Sequence, residues 1–286
     1  GWKEGDIVIS SPITFLATIN SIIYAGATPK FVDIDPTTYT IDPGKLEDTI
    51  KKYKFKNKKI KAVIGVDYAG HPSNWKALRF LANKYNFKLV NDNCHALGAS
   101  YYNDTKYAQK YADVVTQSYH PLKNITTGEG GSILTNDKAI YNKIKILRSH
   151  GMIKNFKNKT KGLWHYEMHE VGYNYRITDI QCALGISQLK KLNNFVTKRK
   201  KIAELYNAAF KNDSTYIIPK VSNKIKHAYH LYPLQAKFEK LKIKKNSFFE
   251  KMMKKGIRLQ VHYIPVHLQP YYKKNFNFKI GNFPVA

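Results

Sequence analysis

The sequence predicts an α/β protein in which a mostly parallel sheet is covered by helices on both faces. From Asp6 to Ser149, short apolar runs alternate with amphipathic segments, as in folds built from strand–helix units. The apolar runs are rich in β-branched residues and carry no polar face, which is typical of strands buried on both sides. Hydrophobic residues make up 43% of the 286 residues, enough for a sizeable core.

The elements of this first part follow one another in a regular order. Gly1 to Asp6 forms a turn, and the apolar run directly after it is the first strand. The predicted strands are residues 6–10, 28–32, 62–66, 88–91, 114–118 and 132–135. The helices predicted between them are residues 14–25, 43–53, 74–85 and 138–149.

The pattern changes after Gly151. A stretch rich in lysine and asparagine, residues 154–161, predicts a mobile surface loop. Beyond it we predict helices at 178–192, 194–210 and 245–255 and strands at 230–238 and 258–263. We interpret residues 1–190 as a large domain and residues 191–286 as a smaller α+β domain. The chain opens directly before an inner strand and closes without a terminating element, so we expect a fragment that lacks both ends.

The formal net charge of +28 points at first to a nucleic-acid partner. Only five of the 48 basic residues are arginine, however, whereas proteins that bind phosphates and bases favour the arginine fork. Lysine together with abundant asparagine is what an AT-rich coding sequence gives, so we expect no nucleic-acid partner. A basic nucleic-acid binder is the alternative, and a salt-dependent gel shift would test it.

The compartment follows from what the sequence contains. Two cysteines, Cys94 and Cys182, are too few for a disulfide framework, which favours a reducing, cytoplasmic location. No stretch approaches the roughly 18 apolar residues that span a bilayer, so we expect no membrane partner. His165 and His169 stand four residues apart beside acidic residues, but no third ligand is evident and no metal site is predicted.

Polar side chains follow the predicted strands at their carboxyl ends, where open α/β sheets bind ligands. Asp92 and His95 follow one strand, and Ser118 closes another, with Lys123 and a glycine-rich loop after it. A lysine amine forms a Schiff base with a carbonyl cofactor, and pyridoxal phosphate needs such a lysine plus an acidic partner for its ring nitrogen. Taken alone, Lys123 would be read as one more surface lysine.

The stretch from Ser118 to Gly131, Ser-Tyr-His-Pro-Leu-Lys-Asn-Ile-Thr-Thr-Gly-Glu-Gly-Gly, resembles the cofactor-lysine motif of the DegT/DnrJ/EryC/StrS nucleotide-sugar aminotransferases. That family has the aspartate-aminotransferase fold type I of pyridoxal-phosphate enzymes. The resemblance covers nearly the whole chain and includes Gly5-Asp6-Ile7-Val8, Gly26-Ala27-Thr28-Pro29, Val66-Asp67-Tyr68-Ala69-Gly70, Arg148-Ser149-His150-Gly151 and Gly172-Tyr173-Asn174-Tyr175-Arg176.

The resemblance implies a role for each matching residue. Lys123 would hold pyridoxal 5′-phosphate covalently and then move protons, Asp92 would bind the pyridine nitrogen, and His95 would lie by the ring and its phenolic oxygen. Phe15 would stack on the ring and Ser118 would donate to the phosphate. Asn174 would act from the neighbouring subunit of a homodimer. Gln260, Val261, His262 and Tyr263 would line the sugar-nucleotide pocket.

From the pattern alone, other interpretations of these residues remain open. Phe15 could be a core residue at a helix start, and Ser118 and Asp92 could cap the turns that follow them. Asn174 could occupy a left-handed turn position. Residues 260–263 alternate polar and apolar, as in an ordinary half-buried strand.

Within the family, the chain most resembles enzymes of pseudaminic acid biosynthesis, which aminate C4 of a UDP-linked 4-keto-6-deoxy-N-acetyl-hexosamine. The resemblance then implies L-glutamate as amino donor and 2-oxoglutarate as its product. An enzyme of the 4-amino-arabinose or perosamine type is the first alternative, and a non-catalytic relative with the same fold is the second. The family's phosphate-binding loop precedes the strand that starts at Asp6 and is absent, so we expect this polypeptide to bind the cofactor weakly.

Overall fold

The computed structural model describes residues 1–55, 60–154, 162 and 164–286. Residues 155–161 of the predicted loop lie outside this range. The strands are β1 (Ile7–Ser10), β2 (Thr28–Phe31), β3 (Ile60–Val66), β4 (Lys88–Asp92), β5 (Ser100–Tyr101), β6 (Val114–Ser118), β7 (Gly131–Leu134), β8 (Met152–Ile153), β9 (Glu167–Met168), β10 (Tyr216–Ile217), β11 (Ile225–Lys226) and β12 (Gln235–Ala236). The helices are α1 (Leu16–Tyr24), α2 (Pro43–Phe55), α3 (Trp75–Tyr85), α4 (Tyr107–Tyr111), α5 (Lys138–Leu147), α6 (Asp179–Leu189), α7 (Leu192–Phe210), α8 (Phe238–Leu241), α9 (Lys245–Lys254) and α10 (Pro270–Phe276).

One six-stranded sheet organises the first part of the chain, in the order β2-β1-β3-β4-β6-β7. The first five strands run parallel, and β7 returns antiparallel beside β6. All six predicted strands are therefore confirmed, with ends that differ by at most two residues. The carboxyl ends of the parallel strands meet at one edge of the sheet, so Asp92 and Ser118 end neighbouring strands there.

Both faces of this sheet are buried around β1 and β3, which explains why these two strands are almost entirely apolar. Ile7 and Ile9 of β1 point to the face covered by α2, α3 and α4, where Trp75 and Leu78 are fully buried. Val8 points to the opposite face, where it packs with residues of α1. The predicted class, an α/β sheet with helices on both faces, is confirmed.

Side chains at the helix ends explain where the main helices begin. The Asp42 carboxylate accepts the backbone N–H groups of Gly44 and Lys45 at 2.8 and 3.1 Å, just where α2 starts. Asp137 does the same for α5, and Thr178 with Gln181 forms a reciprocal capping box on α6. Each cap satisfies N–H groups that have no partner inside the helix.

Two strands predicted in the last third of the chain are wrong. Only Gln235–Ala236 of the predicted strand 230–238 pairs, because the N–H groups of Ala228 and Leu231 instead donate to the carbonyls of Gly70 and Ala69. Residues 258–263, all of them described, form no strand, because no strand pairs with this segment. It runs instead as irregular chain that brings Tyr263 to His95.

The end of the chain returns to the sheet. Val266 and Tyr272 are buried in the same cluster as Val8 and Phe31, and Phe283 packs against that cluster. The segment from Val266 onward thus covers part of the face that α1 leaves open. The division at residue 190 into two domains stays a prediction. Within the described residues, no helix is both long and apolar enough to cross a bilayer.

Candidate active site

Lys123 lies in a turn just after β6, at the carboxyl edge of the sheet. Its backbone N–H donates to the His120 carbonyl at 2.9 Å. The side-chain amide of the next residue, Asn124, donates to the carbonyls of Leu97 and Ala228 at 2.9 and 3.3 Å, which ties this turn to two other segments. The Lys123 side chain is half-buried, and this burial lowers the pKa of its amine, an effect that Cys94 and Asp92 oppose.

Asp92 is the last residue of β4, and its carboxylate is held at both oxygens. The Thr18 hydroxyl donates to Oδ2 at 2.6 Å, and the Cys94 backbone N–H donates to Oδ1 at 3.2 Å. Thr18 in turn lies 2.8 Å from the Thr14 hydroxyl. These bonds fix the direction of a negative charge that lies close enough to Lys123 to influence its amine.

His95 is buried and contacts three other parts of the chain. Its Nδ1 accepts the backbone N–H of Ala69 at 3.2 Å, and its Nε2 lies 3.3 Å from the Tyr263 hydroxyl. Its ring centre is 4.3 Å from that of His230. Burial lowers the pKa of His95 well below its ordinary value, and the neighbouring His230 and Lys123 lower it further.

Aromatic rings form a wall beside these groups. Phe15 precedes α1 and keeps 57% of its surface exposed, although phenylalanine side chains are normally buried. Its ring lies 6.1 Å from that of Tyr263, which also lies 6.4 Å from Tyr68. The Tyr68 hydroxyl donates to the His262 carbonyl. Burial, with Asp92 and Cys94 nearby, raises the pKa of Tyr263 to about 12, so its hydroxyl keeps its proton at neutral pH.

The structure therefore brings together Lys123, Asp92, His95, Phe15, His262 and Tyr263. Ser118 lies at the same edge, with its hydroxyl accepting the His120 N–H at 3.4 Å. Among the contacts of the described residues, none joins Gln260, Val261 or Asn174 to this cluster. All three are exposed. The backbone of Asn174 pairs with that of Ser149, and its two sequence neighbours, Tyr173 and Tyr175, stack their rings on each other.

Three residues of the site were missed in the sequence. Thr18 orients Asp92, and its only signal is Thr14 one helical turn earlier. Asn124 anchors the Lys123 turn, which its position beside Lys123 could have suggested. His230 lies in a segment predicted as a strand, and no local pattern marks it. Its Nδ1 is buried without a hydrogen-bond partner in this structure.

The histidine pair near Glu167 has a simple structural explanation. His165 and His169 each place Nε2 3.1 Å from a different oxygen of the Glu167 carboxylate. Over the ranges that the structure describes, no group of three or more His, Cys, Asp or Glu residues is placed to hold a metal ion.

We expect the stability of the protein to fall when the pH drops below about 6.5, because His230 is held neutral. Burial, with Lys123 and Arg199, lowers the pKa of His230 to about 3. The unfolded chain takes up this proton first, so each pH unit below about 6.5 costs roughly 1.4 kcal/mol, until the folded pKa is reached. Urea unfolding at about pH 7 and about pH 5 should show a loss that shrinks by about 2 kcal/mol in His230→Gln.

The control for this measurement is His150→Gln, which replaces an exposed histidine. It should leave the pH dependence unchanged. Equal pH dependence in the wild type and His230→Gln would show that His230 takes no part in the effect.

A half-buried amine, an oriented carboxylate and an aromatic wall meet at the carboxyl edge of a mostly parallel sheet. The amine suits a covalent bond to an aldehyde, the carboxylate suits a protonated ring nitrogen, and the exposed Phe15 ring suits a flat ring beside it. This fold and this set of groups define the class of pyridoxal-phosphate-dependent transferases of fold type I.

The chain belongs to the DegT/DnrJ/EryC1/StrS aminotransferase family, whose model matches residues 1–286. It is an enzyme, a sugar aminotransferase of this family. It is 40% identical over 268 residues to the UDP-4-amino-4,6-dideoxy-N-acetyl-beta-L-altrosamine transaminase of Campylobacter jejuni, covering 94% of this chain and 68% of that protein. It is 37% identical over 289 residues to the spore coat polysaccharide biosynthesis protein SpsC of Bacillus subtilis, covering 100% of this chain and 72% of that protein.

A solved structure is also similar throughout. Helicobacter pylori PseC, described as an aminotransferase involved in the biosynthesis of pseudoaminic acid, aligns with a TM-score of 0.84 at 34% identity. The alignment covers 98% of this chain and 71% of PseC. The resemblance to the family is therefore confirmed.

Proposed function

We propose that this enzyme transfers the amino group of L-glutamate to C4 of a UDP-linked 4-keto-6-deoxy-N-acetyl-hexosamine in pseudaminic acid biosynthesis. The observation that carries the proposal is the Lys123 amine beside the oriented Asp92 carboxylate. Support for the sugar comes from the Campylobacter jejuni relative and from PseC, whose names state that chemistry or that pathway.

The residues of the site fit pyridoxal 5′-phosphate. Asp92 would hold the pyridine nitrogen in its protonated form, because Thr18 and the Cys94 N–H keep its oxygens fixed. Phe15 would cover one ring face, His95 would lie at the ring, and Ser118 would donate to the phosphate. When bound, this cofactor supplies an electron sink that allows protons to leave carbon.

Lys123 would hold the cofactor and also move protons. Burial lowers the pKa of its Nζ, so the amine is neutral more often than that of an exposed lysine and accepts a proton more readily. The nearby Asp92 stabilises the protonated form, which keeps the proton available for return. Both directions of proton transfer are needed in an amino transfer.

His262 and Tyr263 would line the sugar-nucleotide pocket, with Gln260 and Val261 at its exposed rim. Lys123 and Arg199 lie close enough to His230 to lower its pKa, so two basic side chains place a positive field in this part of the site. Such a field attracts an anionic nucleotide sugar or a dicarboxylate donor.

A homodimer with shared sites is also part of the proposal. Residues from Trp164 to Leu189 expose an unusual number of apolar side chains, such as Val171 and Ile180, which are 83% and 84% exposed. Exposed apolar surface of this extent is typical of an interface. Asn174 lies within it, which is where a residue would have to be to reach the site of a second copy.

We expect Ile180→Glu to weaken the dimer at least about 100-fold, because a charge would be buried at the interface. Sedimentation velocity across a concentration series measures this. Phe80→Glu, which changes an exposed apolar residue on α3, is the control and should leave association unchanged. A monomeric wild type at micromolar concentration would contradict the shared site.

Mixed subunits would test whether Asn174 acts in the partner's site. Lys123→Ala and Asn174→Ala should each be inactive alone. Random mixed dimers should recover about a quarter of wild-type turnover, since half are hybrids with one intact site. No recovery despite hybrid formation would place Asn174 in its own subunit's site.

The substrate proposal is tested by amino transfer from glutamate to a panel of UDP- and dTDP-linked 4-keto sugars, using the enzyme as its gene encodes it. Preference for the UDP-linked N-acetyl sugar supports the proposal. A clear preference for a dTDP sugar would overturn the pseudaminic assignment and leave an enzyme of the perosamine or 4-amino-arabinose type. The similarity to SpsC keeps another polysaccharide precursor as the second candidate. No turnover of any sugar would favour a non-catalytic relative.

A further inference from the structure

A short turn of residues 67–70, which we call the 67–70 turn, lies between the two segments that carry His95 and His230. The backbone N–H of Ala69 donates to Nδ1 of His95 at 3.2 Å. The carbonyls of Gly70 and Ala69 accept the N–H groups of Ala228 and Leu231 at 2.9 and 3.1 Å. One turn therefore holds both histidine segments, although they are far apart in sequence.

Hydrogen bonds to the buried carboxylate of Asp67, its first residue, hold the 67–70 turn in place. Oδ1 accepts the Ser73 backbone N–H and the Trp75 indole at 2.7 and 2.9 Å. Oδ2 accepts the side chains of Asn91, Asn93 and Tyr107 at 3.2, 2.7 and 2.7 Å. The carboxylate is thus bound by five donors, which together come from three separate parts of the chain.

The backbone of the turn leaves it little freedom to shift. Ala69 has a positive φ of 59°, which alanine adopts only when its surroundings impose it. A Cβ on Gly70 would lie 2.9 Å from the Tyr229 nitrogen and 3.0 Å from the His95 carbonyl oxygen. The direction of the Ala69 N–H is therefore fixed by the fold.

That direction decides which nitrogen of His95 carries the proton. Nδ1 must offer its lone pair to the Ala69 N–H, so a neutral ring carries its hydrogen on Nε2. Nε2–H then donates to the Tyr263 oxygen 3.3 Å away. With that oxygen accepting, the Tyr263 hydroxyl hydrogen is free to donate to another group.

We propose that the 67–70 turn is a positioning element that fixes the His95 proton on Nε2 and thereby makes the Tyr263 hydroxyl a donor towards the bound ligand. The proposal deepens the proposed function, on which the ligand's identity rests, and assigns positioning roles to Asp67 and to the Ala69 backbone. It requires a ligand that presents an acceptor atom to Tyr263, such as a hydroxyl, carbonyl or phosphate oxygen.

The charges around His95 favour the same arrangement. Lys123, His230 and His262 all face it and disfavour a positive charge on its ring, and Asp92 is held by Thr18 and the Cys94 N–H. A second proton on His95 would also set an N–H against the Ala69 N–H. The neutral Nε2–H form is therefore kept through the neutral pH range.

Nitrogen-15 NMR of the uniformly nitrogen-15-labelled chain, without cofactor or sugar, tests the tautomer directly. His95→Gln assigns the His95 signals by their disappearance. We expect a neutral ring protonated on Nε2, with a scalar coupling across the hydrogen bond between the Ala69 nitrogen and Nδ1 of His95. A ring protonated on Nδ1, or one that titrates near the ordinary histidine pKa, would overturn the proposal.

Two variants test the turn itself. Gly70→Ala should displace the turn and, if folded, weaken the coupling or populate the second tautomer. Tyr107→Phe is the matched control, because it removes one of the five donors to Asp67 and leaves the turn in place. An unchanged His95 spectrum in Gly70→Ala would show that the turn does not set the tautomer. If Gly70→Ala does not fold, the wild-type coupling still decides.

Turnover of two His95 variants tests whether the Nε2 proton matters for activity. A glutamine places its amide N–H near the position of Nε2, whereas an asparagine amide reaches only the position of Nδ1. His95→Gln should therefore lose clearly less activity than His95→Asn, which should lose about 100-fold, as for removal of a positioned donor. Equal losses would contradict donation from Nε2 of His95 to Tyr263. A failure of the sugar assignment would leave the NMR result unaffected.

Discussion

Replacing Lys123 with alanine is expected to lower turnover by at least about 10³-fold, because one residue both holds the cofactor and moves the protons. Burial lowers the pKa of this half-buried amine, and Cys94 and Asp92 lie close enough to act on it. Lys123→Arg should be equally inactive, since a guanidinium keeps the charge but offers no amine to an aldehyde. Steady-state assays with glutamate and the keto sugar measure both.

Absorbance spectroscopy separates the chemistry from folding. The band of the cofactor bound covalently to protein should be missing in Lys123→Ala. Lys138→Ala, which removes an exposed lysine at the start of α5, is the control and should keep both turnover and band. Turnover within about tenfold of wild type in Lys123→Ala would mean that another lysine does this work.

Asp67→Asn is expected to lower the free energy of unfolding by about 3 to 5 kcal/mol. The wild-type carboxylate accepts five hydrogen bonds in a fully buried position, and an amide offers one oxygen and sets an NH₂ group against donors. Burial raises the pKa of Asp67 to about 6 despite these donors. Urea unfolding at about pH 8, where the carboxylate is ionised, measures the loss.

Asp104→Asn serves as the matched control for this measurement. Asp104 accepts the Lys106 N–H and pairs with Lys110 near the surface, so its change should cost under about 1 kcal/mol. A similar small loss in Asp67→Asn would mean that the buried network rearranges around the amide.

The sheet could be predicted from the sequence because its information is local. Strands such as 60–66 are buried on both faces, so nearly all of their residues are apolar. The strand predicted at 258–263 failed for the opposite reason. Its residues do alternate between polar and apolar, but a strand needs a neighbouring strand to pair with. The sequence of one segment does not show whether such a neighbour is present.

The same distinction separates the site residues that could be found from those that were missed. Asp92 ends a strand, and Lys123 lies in a recognisable motif just after another strand, so their positions were predicted. Their roles, like those of Ser118 and Asn174, stay proposals. His230 and Thr18 reach the site only through long-range packing, and the sequence gives no local signal for His230 and only Thr14, one helical turn earlier, for Thr18.

The return of the chain end to the first strands has a consequence for biosynthesis. Val266 and Tyr272 close an apolar surface whose other half, Val8 and Phe31, leaves the ribosome well before them. At a synthesis rate of about 5 to 20 residues per second, that surface stays uncovered for many seconds. The apolar surface of the nascent sheet must therefore wait for residues 266–283, so this part of the fold cannot form as its strands emerge, and chaperone holding is most needed in that interval.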